Sequence, residues 1–539
     1  MEGFNANELS EVEKITEKSS GYLTDIPYER GYFPFQSPVS LNYVAAFQGL
    51  PPKPISDPFT YLELGCGNAH TLVTLAASLP QGRFYGVDLN AEHIDYGEHL
   101  VLQAGVDNVT FHATPFAELL SAKLPKFDFI TLHGVYSWVS EDVRLEITRI
   151  IDAFLQPDGL VFVSYDALPG VAAFLPIREI FRSFTENNSD GSLVRFEAVR
   201  AHLKYMHDND APYAVSASCI GREIENIING NPTFLAHQYF TSDPRYFSEV
   251  AEEMSEIGLS YVCRATIGEG SKRRKESKKF RELIAARGDY IQQEAAKSLI
   301  LNEGFRRDVY AHRQPDTVDS RRLEALAHVI VGDAGIDRVR QRFSRGLPPV
   351  EAGLVATLGA GRHLLGEARS LPEMNGHSDA LIISALRRII NSEDLRPLAK
   401  PPVEVSSDMP DKIRLPHPLN QHLLDEYHVA MLGAPYPLID LDDGGDIGRC
   451  CLSSPVTGDG VWLRPITELF VKAALRWGHA DDLAARVDKM LLDAGKSLVT
   501  NKEELTTSEE RRAYLTGKWE RYYNQGLPAL LRLGVVEPV

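Results

Sequence analysis

The tightest constraint on this chain is Leu62-Glu63-Leu64-Gly65-Cys66-Gly67-Asn68, where an apolar run stops at two glycines. Tyr61 to Leu64 reads as a strand, and residues 69–80 as a helix with Leu72, Leu75 and Leu79 on one face. Glycines at 65 and 67 remove Cβ atoms, so a ligand can approach the backbone of the turn closely. In an open α/β sheet such a turn lies at the carboxyl end of a strand, where ligands bind. A second strand, Phe84 to Val87, ends in Asp88, 21 residues after Gly67. A carboxylate there accepts hydrogen bonds from both hydroxyls of a ribose. The dinucleotide fingerprint needs a third glycine at position 70, which is His70. A nucleoside ligand without a pyrophosphate fits better. The plain alternative is a glycine turn that only joins strand to helix.

The pattern continues with a helix near 91–104, strands at Val109 to His112, Phe127 to Leu132 and Leu160 to Tyr165, and a helix around 141–155. Strands alternating with helices imply parallel pairing with right-handed crossovers, hence a doubly wound α/β sheet. A helix Glu249 to Gly258 and a strand Leu259 to Ile267 can complete the same sheet across an insertion. From about 285 the periodicity turns mostly helical, and prolines crowd residues 395–418 as in a linker. The predicted organisation is an N-terminal lid or strap at 1–37 and a Rossmann-like core at 38–169. An insertion with a further segment follows at 170–284, then a helical middle domain at 285–395 and a C-terminal domain at 396–539.

A chain of 539 residues is too long for one core. Its net charge of −18 argues against broad nucleic-acid or anionic-membrane binding. The 5 cysteines are scattered and odd in number, which points to a reducing compartment and a cytoplasmic protein. No secretory signal and no bilayer-length apolar run is visible, so membrane insertion is not expected.

Glu63-Leu64-Gly65-Cys66-Gly67 resembles the S-adenosylmethionine (SAM) motif of class I methyltransferases. The resemblance extends to bacterial methyltransferases with a methyltransferase regulatory domain, among them protein lysine methyltransferases acting on outer-membrane proteins. Pro34-Phe35-Gln36-Ser37-Pro38, His133-Gly134-Val135-Tyr136-Ser137-Trp138-Val139 and Val163-Ser164-Tyr165-Asp166-Ala167-Leu168-Pro169-Gly170 carry it, with Leu235 to Phe240 and Phe305 to Asp308. It implies a Rossmann-like class I methyltransferase sheet with SAM as cofactor. Gly65 and Gly67 would contact the methionine end, Asp88 the ribose, and Leu89 would pack near adenine. Glu63, Cys66, Thr114 and His133 complete the implied cofactor set. Thr114 stands where the family often places an acid.

Methyl transfer from a sulfonium needs an electron-rich nucleophile in line with the S–CH3 bond. A lysine amine must first lose a proton, at a cost of about 4.6 kcal/mol at pH 7 for a pKa near 10.4. A nearby sulfonium and desolvation lower that cost, so acceptors that orient the amine suffice without a strong base. His133, Tyr136 and Tyr165 sit at the ends of strands four and five and are the candidates for shaping an acceptor pocket. Trp138 is expected to pack, and Tyr28, Tyr32, Phe33 and Phe35 to form a lid or a strap.

The acceptor is expected to be a protein lysine. A small-molecule or biosynthetic acceptor is the second reading, and a SAM-binding regulator without turnover the third. The large helical region suits a macromolecular partner or a homodimer. Lys272 to Lys275 with Lys278 and Lys279 reads as a solvated basic run. The acidic turn from Asp440 to Asp446 lacks the calcium-loop glutamate at position 451, and Cys450-Cys451 lacks zinc spacing, so no metal is expected. His237, among apolar residues, reads as structural.

Overall fold

A computed structural model of the chain describes residues 23, 25–26, 28, 30–185, 190–266, 277–332, 348–359, 364–391, 395–433, 438–440, 450–480, 482–500 and 503–539. The basic run at 272–275, most of the acidic turn after Asp440 and the first 22 residues of the lid segment lie outside the described residues.

The centre is one mixed sheet. Its strands are β1 (Phe59–Leu64), β2 (Gly82–Asp88), β3 (Val109–Ala113), β4 (Phe127–Leu132), β5 (Leu155–Leu168), a short β6 (Arg245–Tyr246), β7 (Ser260–Arg264) and β8 (Phe305–Ala311). The order is β3-β2-β1-β4-β5-β8-β7, with β6 alongside β5. β1 to β5 run parallel, while β8 is antiparallel to both β5 and β7. This is a Rossmann-like doubly wound sheet. Its order reverses between β1 and β4, so the crevice for a ligand opens beside the end of β1.

The apolar strand positions alternate between two faces. One face packs the helices Pro38–Ala46, His70–Ser78 and Ala91–Ala104 and joins the core of the C-terminal half. The other packs Glu141–Phe154 through Ile147, Ile150 and Ile151, and Phe247–Glu256 through Phe247, Val250 and Met254. Between β5 and β6 stand four longer helices, Leu175–Thr185, Ser192–Asp208, Ser218–Asn229 and Pro232–Thr241. They enclose a separate core of Phe181, Phe196, Val199 and Ile224, which also takes in Leu23 and Ile26.

The periodicity of the chain puts Phe305 to Ala311 in a helical middle segment, whereas this stretch forms β8, between β5 and β7. Its charges conceal it. Arg306 is 2% exposed and donates to both Asp308 oxygens at 2.9 and 2.8 Å, to Glu303 at 2.8 Å and to Glu294 at 3.1 Å. Arg264 on β7 pairs with the same Glu294 and Glu303. Four buried charges and the half-buried Arg264 thus satisfy one another, as buried charges must.

The C-terminal half is mostly helical, with a hairpin Cys450–Ser454/Asp459–Leu463. This hairpin grips the N-terminal strap. The Gly460 N–H donates to the Tyr32 hydroxyl at 2.7 Å, and the Ser37 hydroxyl to the Gly458 carbonyl at 3.3 Å. Arg30 pairs with Glu426 and stacks 4.3 Å above the Tyr96 ring. No helix among the described residues is long and apolar enough to cross a membrane. No group of three metal-ligating side chains occurs among them.

Candidate active site

After β1 the chain turns through three left-handed residues, Gly65 (φ +74), Gly67 (φ +51) and Ala69 (φ +57). The N–H groups of Gly65 and Cys66 both donate to the Val87 carbonyl, at 2.8 and 3.0 Å, fastening the turn to β2. Gly65 is needed for more than its torsion, because a Cβ there would stand 2.3 Å from Val135 Cγ2. The Gly67 N–H donates to Asp88 Oδ2 at 2.8 Å, so glycine turn and carboxylate form one unit. Asp88 Oδ1 accepts from the Asn90 N–H at 2.9 Å and faces His93 Nδ1 at 3.2 Å. Asp88 remains 6% exposed. It opens on a cleft lined by Gly65, Gly67, Leu89, Thr114, Phe116, Val135, Val139, Val143 and Glu146. An apolar slot with a carboxylate at one side suits a nucleoside: a flat base and a diol.

A smaller cavity adjoins the turn on its other side, lined by Glu63, Cys66, Asn68, Thr71, Phe33 and His133. Glu63 is 3% exposed. Gln36 Nε2 donates to its Oε1 at 3.1 Å, while its Oε2 has no partner among the described residues. Burial pushes its carboxyl up to about 8, and the Asp88 charge adds to this against the Gln36 hydrogen bond. A buried, unpartnered carboxylate oxygen at the edge of a cavity fits a cationic amine.

His133 stands at the junction of the two cavities. Its Nδ1 pairs with the Ser164 hydroxyl at 2.9 Å, and that oxygen also accepts the Gly134 N–H at 2.9 Å. The Phe33 ring lies 4.0 Å from the imidazole. Burial, and then the Arg307 charge, push its pKa down to about 3. A neutral imidazole therefore faces the cavities throughout the physiological range.

The comparisons with known proteins bear directly on this geometry. Residues 55–224 match a family described as a methyltransferase domain, and residues 231–312 one described as a predicted methyltransferase regulatory domain. An uncharacterized protein of Rickettsia prowazekii is 30% identical over 237 residues, which cover 42% of this chain and 92% of its own. The chain belongs to the SAM-dependent methyltransferases with a methyltransferase regulatory domain. An uncharacterized protein of Synechocystis is 26% identical over 526 residues, 96% of this chain and 99% of its own. Among solved structures, PKMT2 from Rickettsia typhi in complex with AdoHcy has a TM-score of 0.64 at 18% identity, covering 93% of this chain and 99% of that one. The regulatory-domain match spans β6, β7 and β8, so in this methyltransferase that segment builds three strands of the central sheet.

Of the expected cofactor residues, Gly65, Gly67, Asp88, Leu89, Thr114 and His133 line the cleft together, and Glu63 and Cys66 line the adjoining cavity. The Thr114 hydroxyl donates to Glu118 at 2.9 Å. The Cys66 thiol is buried and its pKa raised by desolvation.

Two expected acceptor-pocket residues do not reach the methyltransferase cleft. Tyr136 is fully buried, and its hydroxyl donates to Glu253 on the helix Phe247–Glu256. Tyr165 donates to Asp308 at 2.6 Å inside the sheet core. Strand alternation explains Tyr165: on β5 its neighbour Ser164 points to His133, so Tyr165 points to the opposite face. Both phenols are structural.

Sequence reasoning also missed His93, Phe116 and Glu146, and placed Tyr28 only within a lid or strap. Val143 and Glu146, three apart on one helix, carried a faint signal. The others did not, because their contacts are set by the fold. The aromatic segment divides. Tyr28 and Phe33 face the cavities, while Tyr32 is anchored beneath Trp462 and Phe35 under Arg307. Trp138 is 7% exposed and stacks on His237 with ring centres 6.0 Å apart. His237 Nε2 faces the Ile26 carbonyl at 3.1 Å, in keeping with a structural role.

Proposed function

We propose that this methyltransferase transfers a methyl group from SAM to the side-chain amine of a lysine in a protein. The residues present fit the cofactor. The open edge of Asp88 suits a ribose diol, Leu89 and Phe116 offer apolar walls for a base, and the unpartnered Oε2 of Glu63 suits the ammonium of a methionine end. SAM, when bound, supplies an electrophilic methyl group on a sulfonium. The chain's own residues orient and exclude water. Gly65 and Gly67 keep the approach open, and Val135, Val139 and Val143 dry it. His133 stays neutral beside Ser164, so it can share a hydrogen bond with an acceptor but does not serve as a strong base. This suits an amine that attacks once neutral and releases its proton to solvent afterwards.

The observation that carries the protein acceptor is the likeness to PKMT2 over 93% of this chain, C-terminal half included. The 5 cysteines, all unpaired, support a cytoplasmic site of action. A homodimer belongs to the same reading, and light scattering at twice 59.9 kDa would support it.

Incubation with tritiated SAM and a cell lysate, followed by separation of proteins from metabolites, tests the acceptor. Label on lysine in the protein fraction is the expected result. Label confined to metabolites would favour a small-molecule acceptor. Label in neither fraction, despite SAM binding, would favour a regulator without turnover.

A further inference from the structure

His93 lies in the first turn of the helix Ala91–Ala104 and is 1% exposed. Its two ring nitrogens face two different parts of the site. Nδ1 stands 3.2 Å from Asp88 Oδ1, while Nε2 accepts the backbone N–H of Tyr28 at 3.0 Å. A backbone N–H can only donate, so Nε2 carries the lone pair and Nδ1 carries the proton toward Asp88. The imidazole is thus a bridge of fixed tautomer between the ribose carboxylate and the strap. On its other side, the Tyr28 carbonyl accepts from Asn68 Nδ2 at 2.6 Å, at the glycine turn.

The clamp determines where the Tyr28 ring lies. Tyr28 Cδ1 is 3.9 Å from the point where a Cβ on Gly67 would stand, and its hydroxyl oxygen 3.8 Å from the same point on Gly134. Those glycines follow β1 and β4, so the ring spans the cleft between the two strand ends. It is held edge-on to Trp138 and to His237, each with ring centres 5.5 Å away.

We propose that His93 is a positioning residue that sets the Tyr28 roof in register with Asp88, its Nδ1 side serving the ribose carboxylate and its Nε2 side the roof. This rests on the reading of Asp88 as the ribose ligand. Two substitutions separate the halves of the bridge. An asparagine at 93 can place a donor near the Nδ1 position but cannot reach Tyr28. A glutamine can place an acceptor near the Nε2 position but offers Asp88 no donor.

The test combines trypsin cleavage after Arg30 and Trp fluorescence, both on the cofactor-free protein, with calorimetric titration of SAM. His93→Asn is expected to raise the Arg30 cleavage rate about tenfold, the worth of one hydrogen bond, and to shift the emission of Trp138. It should leave the SAM Kd within about threefold. His93→Gln is expected to keep Arg30 protected and weaken SAM about tenfold. Asn68→Ala, which removes the other half of the clamp, should match His93→Asn in the protease assay.

Equal loss of protection and affinity in both His93 variants, at unchanged melting temperature, would reduce His93 to packing and overturn the proposal. So would unchanged Arg30 cleavage in both His93→Asn and Asn68→Ala. If SAM fails to bind even the unaltered protein, the reading of the cleft falls, while the protease arm still judges the clamp by itself.

Discussion

Glu63 offers a quantitative test of the cofactor site. Burial raises its carboxyl from 4.5 to about 8, so at pH 7 the folded protein holds a proton there that the unfolded chain has lost. At about 1.4 kcal/mol per pH unit, the interval from 4.5 to 7 costs the fold about 3 kcal/mol. The sign follows from a raised carboxyl: the cost is absent below pH 4.5, grows as pH rises, and levels off above 8. Glu63→Gln keeps the shape and a partner for Gln36 without the ionisation. Its stability relative to the unaltered protein should therefore climb between pH 5 and 8, by about 3 kcal/mol or less. Urea unfolding at several pH values measures the difference. The same proton should leave when a cationic amine seats against Oε2. Titration of SAM at pH 7 in buffers of different ionisation enthalpy should show release of close to one proton in the unaltered protein and none in Glu63→Gln. Affinity in the variant should fall by about 2 kcal/mol, roughly 30-fold. Parallel stability curves for the two proteins from pH 5 to 8 would refute the buried-acid argument.

Other substitutions probe the rest of the site and its supports. Asp88→Ala should weaken SAM by about 2 kcal/mol or more in calorimetry, since it removes a charged acceptor. Gly65→Ala meets both a positive φ and Val135, and should cost about 1–3 kcal/mol in urea unfolding; adding Val135→Ala should recover only the steric part. Arg306→Met leaves Asp308, Glu303 and Glu294 facing one another, and should cost about 3–5 kcal/mol in the same assay. Arg30→Ala breaks an exposed pair, and its effect on stability should stay below about 1 kcal/mol.

The parallel half of the sheet was legible because its signals are local. Apolar runs such as Phe127–Leu132 keep their bounds from sequence to structure, and each glycine or acid stands at a strand end. Glu63, Gly65, Gly67 and Asp88 were legible for the same reason, since their spacing along the chain encodes neighbouring strands. β8 was not, because Arg306, Arg307 and Asp308 read as surface until their partners on other elements are known. Tyr136 and Tyr165 misled because proximity to a strand end does not tell which face a side chain takes. Tyr28 was legible as part of a lid or strap, but its tie to His93 was not, because 65 residues separate the two ends of their hydrogen bond.

The hairpin at 450–463 has a consequence for how the enzyme comes into being. Tyr32 leaves the ribosome 428 residues ahead of its partner Gly460. Since chains fold from the N-terminus as they emerge at about 5–20 residues per second, the central sheet, whose last strand ends at Ala311, can form roughly ten to thirty seconds ahead of the grip at Gly460 that seats the strap. A ribosome that stalls before codon 460 yields a sheet with its glycine turn in place and Tyr28 clamped, but without the hairpin's hold on Tyr32.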